Sequence, residues 1–256
     1  MTTLFVSHGA PTLVLEPGET GIMLASLAAS LPKPDAILVI SAHWDTRVPS
    51  VSLAAHPATI HDFAGFPAAM YAIHYPAPGA PALANKVIEL LAANGIPAQA
   101  HADRGLDHGA WVPLSLMYPD ADIPVTQLSI QSRSAPAAQF ALGQALRPLH
   151  KENVLILASG AITHNLSDFF SGQRDAAPLA YVNIFADWVA GQLASEQMQT
   201  LLNYRTENSV GLQAHPSEDH LMPLFVAAGS AQGIPKRFTP ETTYGILAMD
   251  AYIWEA

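Results

Sequence analysis

The 256-residue chain contains no cysteine. This excludes a disulfide framework, a cysteine nucleophile, iron–sulfur ligation and thiolate zinc sites. Charge is also scarce: Asp, Glu, Lys and Arg make up 12% of the chain, against a usual share near ~25%. The 11 Lys and Arg face 21 Asp and Glu, a net charge of −10. With no basic cluster, the chain lacks the footprint that nucleic acid or an anionic membrane requires, so the expected partner is a small molecule. Long hydrophobic runs are missing too. Stretches such as Ala36–Ala42 are far too short to span a bilayer. The opening MTTLFVSHGAPT has no cationic region before its apolar stretch and soon reaches His8 and Pro11, so it does not read as a signal peptide. The chain reads as a cytoplasmic protein.

What is present is an apolar half: 50% of the residues are hydrophobic, which excludes disorder. A chain of this length buries one large core without a structural metal, so any metal is there for chemistry. Short β-branched runs alternate with Ala/Leu-rich stretches from end to end. The runs Leu4–Val6, Ile37–Ile40, Val51–Leu53, Val125–Ser129, Val154–Ala158 and Ile246–Tyr252 read as strands, with Ala98–Ala102 as a weaker seventh. Apolar residues at three- and four-residue spacing predict helices over Ile22–Ser30, Ala82–Ala93, Ala137–Leu149, Leu179–Leu193 and Ser217–Ala228. The expected fold is a single α/β domain over residues 1–256, with a central, mostly parallel sheet flanked by helices. One stretch breaks the rhythm: His56–Gly79 is rich in proline and aromatics, and long loops of that kind inside compact domains tend to be functional.

The 11 histidines are informative through their positions. His8 follows the first strand, His43 the second, and His164 follows Val154–Ala158 through Ser159-Gly160-Ala161. In open α/β sheets ligands bind beyond the carboxyl ends of the strands, so these three imidazoles face one rim. Each alone is more often a hydrogen-bonded loop residue than a ligand; three in one topological place point to a metal or catalytic site. His220 lies in His215-Pro216-Ser217-Glu218-Asp219-His220, where Ser217 resembles an N-cap. It is either a capping side chain or a ligand delivered by a helix end. His108, in Asp107-His108-Gly109, is either a helix-start residue or a substrate contact. Neutral imidazoles suit Zn, Fe and Cu, and three of them with open positions make a catalytic site. HExxH, GxSxG, GxGxxG and Walker A sequences are all absent.

Ser7-His8-Gly9-Ala10-Pro11, Ser41-Ala42-His43-Trp44, Ile60-His61-Asp62-Phe63, Asp107-His108-Gly109, Ser159-Gly160 with His164-Asn165-Leu166, and Glu218-Asp219-His220 before Pro223-Leu224 occur in that order. Together they resemble the DOPA-type extradiol ring-cleavage dioxygenases of the class III (LigB-like) superfamily, from about Leu4 to Tyr252. The resemblance implies one mononuclear metal held by His8, His43 and His220, with His164 beside it as acid/base or further ligand. It also implies non-haem Fe(II) for ring cleavage, with Zn(II) carried by several relatives as purified. Where many extradiol enzymes use two His and one carboxylate, His220 stands here at the third position. His164 and His108 are the candidate catalytic residues, and His61 and Phe63 the candidate substrate contacts; Trp44 and Phe66 could stack on the ring, although a Trp beside a strand end more often packs in the core. The expected reaction opens the ring of a catechol, DOPA or similar, with O2. A zinc hydrolase using the same histidines and a non-catalytic metal-binding module are the alternatives.

Overall fold

In the computed structural model, which describes residues 2–169 and 173–255, ten strands form: β1 (Thr2–Ser7), β2 (Ala36–Asp45), β3 (Ser50–Ser52), β4 (Gln99–His101), β5 (Val125–Ile130), β6 (Val154–Gly160), β7 (Lys236–Phe238), β8 (Thr242–Thr243), β9 (Leu247–Ala248) and β10 (Ala251–Glu255). Alternation along each central strand sends its side chains to opposite faces of the sheet. Leu4 and Val6 of β1, Ile37 and Val39 of β2, and Leu155 and Leu157 of β6 enter one core. Phe5, Leu38, Ile40, Ile156 and Ala158 enter the other. Because both faces are buried, these strands read as unbroken apolar runs, as parallel strands between helical layers do.

The main sheet has the order β4-β3-β5-β2-β6-β1-β10-β7. Its centre, β5-β2-β6-β1, is parallel. The flanks are mixed: β3 meets β5 antiparallel but pairs with β4 in parallel, and β10 and β7 continue antiparallel beyond β1. The helices Pro81–Ala93, Pro136–Leu146, Ala180–Ala194 and Met222–Ser230 cover one face, and Gly18–Ser30 with His108–Met117 cover the other. Proline in the first turn of Pro81–Ala93 and of Pro136–Leu146 gives up an N–H that has no helical partner there anyway. No helix among the described residues is long and apolar enough to cross a membrane.

Two expectations need correction. The run Ile246–Tyr252 is not one strand: Leu247–Ala248 pairs with β8, and β10 begins only at Ala251. The break falls at Asp250, whose carboxylate accepts from Arg237 (2.6 Å) and whose carbonyl accepts from the Ser7 N–H (3.1 Å). The helix expected at Ser217 starts at Met222, with Pro223 in its first turn. Residues 217–221 form tight turns instead, held by Leu221 N–H to Glu218 O (3.1 Å) and Met222 N–H to Asp219 O (3.3 Å).

Candidate metal centre

The carboxyl ends of β1, β2 and β6 form one rim, and local backbone features aim the side chains there. His8 is the first residue after β1, with its N–H on Gly160 O (3.0 Å). His43 lies inside β2, where pairing with β5 shifts register between Ser41 and Asp45. Such an irregularity redirects a side chain out of the regular ladder. His220 comes from the turn before Met222–Ser230, not from a helical first turn as its spacing predicted, and Ser217 caps no helix there. The Ala161 N–H donates to His220 O (2.8 Å), and a Cβ on Gly160 would collide with that same carbonyl. Only glycine at 160 therefore allows this turn to lie against β6.

Ligand atoms of His8, His43 and His220 all lie within 4.8 Å of one another. The outer nitrogen of each ring faces an acceptor. The Ser159 hydroxyl donates to Gly109 O and so accepts from His8 Nδ1–H (2.9 Å). Asp219 Oδ2 accepts from His220 Nδ1–H (2.5 Å), and Asp62 Oδ2 stands 3.4 Å from His43 Nδ1. With the proton on Nδ1, as these acceptors favour, Nε2 keeps a lone pair for a metal ion, and partners of this kind orient metal-binding imidazoles. His8 Nε2 and His43 Nε2 are 3.0 Å apart. Two such lone pairs repel unless a cation lies between them, and nitrogens ~2.1 Å from one ion at angles of ~90–110° are ~3.0–3.4 Å apart. The donor set therefore fits a divalent ion. Burial first, and then the neighbouring histidines, push the His8 pKa well below its usual value; burial and His164 do the same for His220. Both imidazoles are consequently neutral, as ligation requires.

These rings line a cavity of about 600 Å³ together with His108, His164 and Asp219. His164 stacks on His220, with ring centroids 3.5 Å apart and planes at 5°, and burial lowers its pKa. His108 is the first residue of helix His108–Met117, capped by Asp107, and its side chain also lines the cavity. Of the two candidate substrate contacts, Phe63 lines the cavity; His61 sits behind it, 5.8 Å between ring centroids, with Nε2 on Ile73 O (3.0 Å). Phe66 also lines the cavity, whereas Trp44 is buried against His101 and Arg104. His215 packs against Phe185 and Tyr204 and donates from Nε2 to Ile162 O (2.8 Å), which is a structural role.

Sequence reasoning missed the groups behind the imidazoles: Ser159, Asp219 and above all Asp62. Asp62 Oδ1 accepts from both the backbone N–H and Nδ1 of His108 (2.9 Å each), while Oδ2 faces His43. Burial alone would raise its pKa, but the hydrogen bonds and charge of His108 reverse this and hold it at about 2. One carboxylate thus orients two cavity histidines. A carboxylate beside a histidine in His61-Asp62-Phe63 was the available signal, but its partner His108 is far away in sequence. Asp62→Asn is expected to lower metal affinity about 10- to 100-fold, measured by competition with a chelating dye; unchanged affinity would remove Asp62 from this role.

Three imidazoles at one rim of an α/β sheet, open to a cavity, form a group that could hold a metal ion with open positions, as catalytic sites do. Residues 3–248 match the family described as the catalytic LigB subunit of aromatic ring-opening dioxygenase. The chain is 44% identical over 233 residues to a 4,5-DOPA dioxygenase extradiol of Beta vulgaris, covering 90% of this chain and 86% of that one. It is 40% identical over 236 residues to the Escherichia coli K12 protein of the same description, covering 91% and 86%. A crystal structure of an uncharacterized Escherichia coli K12 protein superposes with a TM-score of 0.82 at 34% identity, covering 100% of both chains. The chain belongs to the LigB family of aromatic ring-opening dioxygenases.

Proposed function

We propose that this protein is an extradiol dioxygenase that opens a catechol ring with O2 to give a muconic semialdehyde-type product. The observation that carries the proposal is the trio of His8, His43 and His220, whose ligand atoms lie within 4.8 Å of one another in a chain of this family. Family membership favours ring opening over a zinc hydrolase or a non-catalytic binding module. Fe(II) held by the three imidazoles supplies the electron exchange that triplet O2 and a catechol cannot perform directly, whereas Zn(II) has no redox chemistry.

His8, His43 and His220 bring no negative charge, so a divalent ion held by them would keep its full charge and would favour an anionic catecholate. His164, neutral because it is buried, takes the proton of a catechol hydroxyl and later returns it. Its stacking on His220 keeps it beside the site and not within the trio. His108, whose Nδ1–H is committed to Asp62, presents Nε2 to the substrate. Phe63 meets the substrate ring, and His61 supports Phe63 from behind.

The test is O2 uptake with a catechol panel after the metal is stripped and the protein is reconstituted anaerobically with Fe(II) or with Zn(II). The expected result is one O2 consumed per catechol, and a yellow ring-opened product, in the Fe(II) sample alone. A fully Fe(II)-loaded protein that consumes no O2 with any catechol would overturn the proposal.

A further inference from the structure

The turn that joins β8 to β9 runs over Thr243–Ile246 and is closed by Ile246 N–H to Thr243 O (3.3 Å). Both of its central residues are left-handed, Tyr244 with φ +55° and Gly245 with φ +70°, the signs that define a type I′ turn. Glycine, asparagine and aspartate suit this conformation, whereas a bulky side chain there is a genuine outlier. Among the described residues the other non-glycine positions of positive φ are Ala121, Asn153 and Glu196, and none of them lines the cavity above the imidazoles. Tyr244 does. Its conformation is held at three points: the N–H donates to Arg174 O (2.8 Å), the ring packs on Phe169 at 5.3 Å, and the hydroxyl is 3.3 Å from Thr12 Oγ1.

The same hairpin is tied to the residue before His164. The buried Thr163 hydroxyl donates to Ile246 O (2.8 Å) and accepts from the Ala248 N–H (2.9 Å). Ile246 and Leu247 line the cavity beside Tyr244, so one short hairpin supplies a wall whose place relative to His164 is fixed by a single side chain. At about 600 Å³ the cavity lies within the range of sites that hold drug-sized ligands, so a catechol seated at the imidazoles leaves room for a substituent on its ring. Backbone outliers that the surrounding structure over-determines cluster at ligand-binding sites. Asparagine at 244 would suit the turn better than tyrosine and would offer no ring to the cavity. With the Tyr244 hydroxyl engaged by Thr12, the aromatic ring is the surface left for a ligand.

We infer that Tyr244 is a specificity-determining residue, whose ring meets the substituent of a substituted catechol and so favours that substrate over catechol itself. This inference rests on the ring-cleavage reading above. The test compares catechol with 4-ethylcatechol, dopamine and DOPA in the wild type, Tyr244→Asn and Tyr244→Phe. Two readouts are used: kcat/KM for O2 uptake by the Fe(II) protein, and calorimetric Kd for the Zn(II) protein, in which no turnover intervenes. The wild type is expected to prefer at least one substituted catechol to catechol. In Tyr244→Asn the ratio of that substrate to catechol is expected to fall about 10-fold, the scale of one apolar contact in a specificity pocket, whereas Tyr244→Phe is expected to keep it. Because asparagine suits the left-handed turn, the urea midpoint of Tyr244→Asn is expected to match that of the wild type. A ratio unchanged in Tyr244→Asn would make Tyr244 a packing residue and overturn the inference, as would a wild type that prefers no substituted catechol. A ratio lost in Tyr244→Phe would overturn it too, by assigning the contact to the hydroxyl. If no catechol consumes O2 with any form, ring cleavage falls instead, and the affinity ratios of the Zn(II) proteins still decide the role of Tyr244.

Discussion

His220→Ala is expected to strip the protein of its metal, whereas His164→Ala is expected to keep the metal and lose turnover. The two rings are stacked 3.5 Å apart, so a change in either alters the same small volume. They differ in what their nitrogens face. His220 belongs to the trio whose ligand atoms lie within 4.8 Å of one another, with Asp219 on its Nδ1, and His164 lies outside that trio. Loss of an outer-shell partner typically lowers metal affinity ~10- to 100-fold, and loss of a ligand atom should exceed that. Atomic emission after dialysis should therefore find His220→Ala, and likewise His8→Ala and His43→Ala, nearly metal-free. For His164→Ala, kcat should fall by ~10²–10⁴, the usual contribution of a positioned acid/base, at unchanged metal content. Full occupancy in His220→Ala would remove it as a ligand; metal loss in His164→Ala would make that residue a fourth one.

The metal-free protein is expected to lose stability steeply between about pH 6.5 and pH 4, through histidines that must stay neutral to remain buried. His215 shows the effect apart from the metal trio: burial lowers its pKa to about 4, and its Nε2–H is committed to Ile162 O. Above pH ~6.5 the imidazole is neutral in both the folded and unfolded chain, and it contributes no pH dependence. As the pH falls through 6.5 the unfolded chain takes up the proton and the folded one does not, so the unfolded state gains. The loss continues down to the folded pKa and amounts to about 3 kcal/mol from this residue. His8, His43, His164 and His220, also shifted downward, act in the same direction. Urea midpoints measured across this range should fall with pH, and His215→Gln, which keeps a donor for Ile162 O, should flatten the slope. A midpoint independent of pH would show that these rings are accessible to protons in the folded state.

Much of this molecule was legible in the sequence, for local reasons. Unbroken apolar runs such as Ile37–Ile40 and Val154–Ala158 mark strands buried on both faces, and strand-end placement puts His8 and His43 on one rim. Ordered short motifs named the family and the histidine trio. Tertiary structure decided the rest. The antiparallel joining of β10 to β1 depends on pairing across most of the chain, and the start of helix Met222–Ser230 depends on where Pro223 meets the turn that brings His220 to Gly160. Which imidazole nitrogen bears its proton is set by Ser159, Asp219 and Asp62. Periodicity and chain order are properties of neighbours along the backbone; proton placement and the charge lining a cavity come from groups that meet only when the chain is folded.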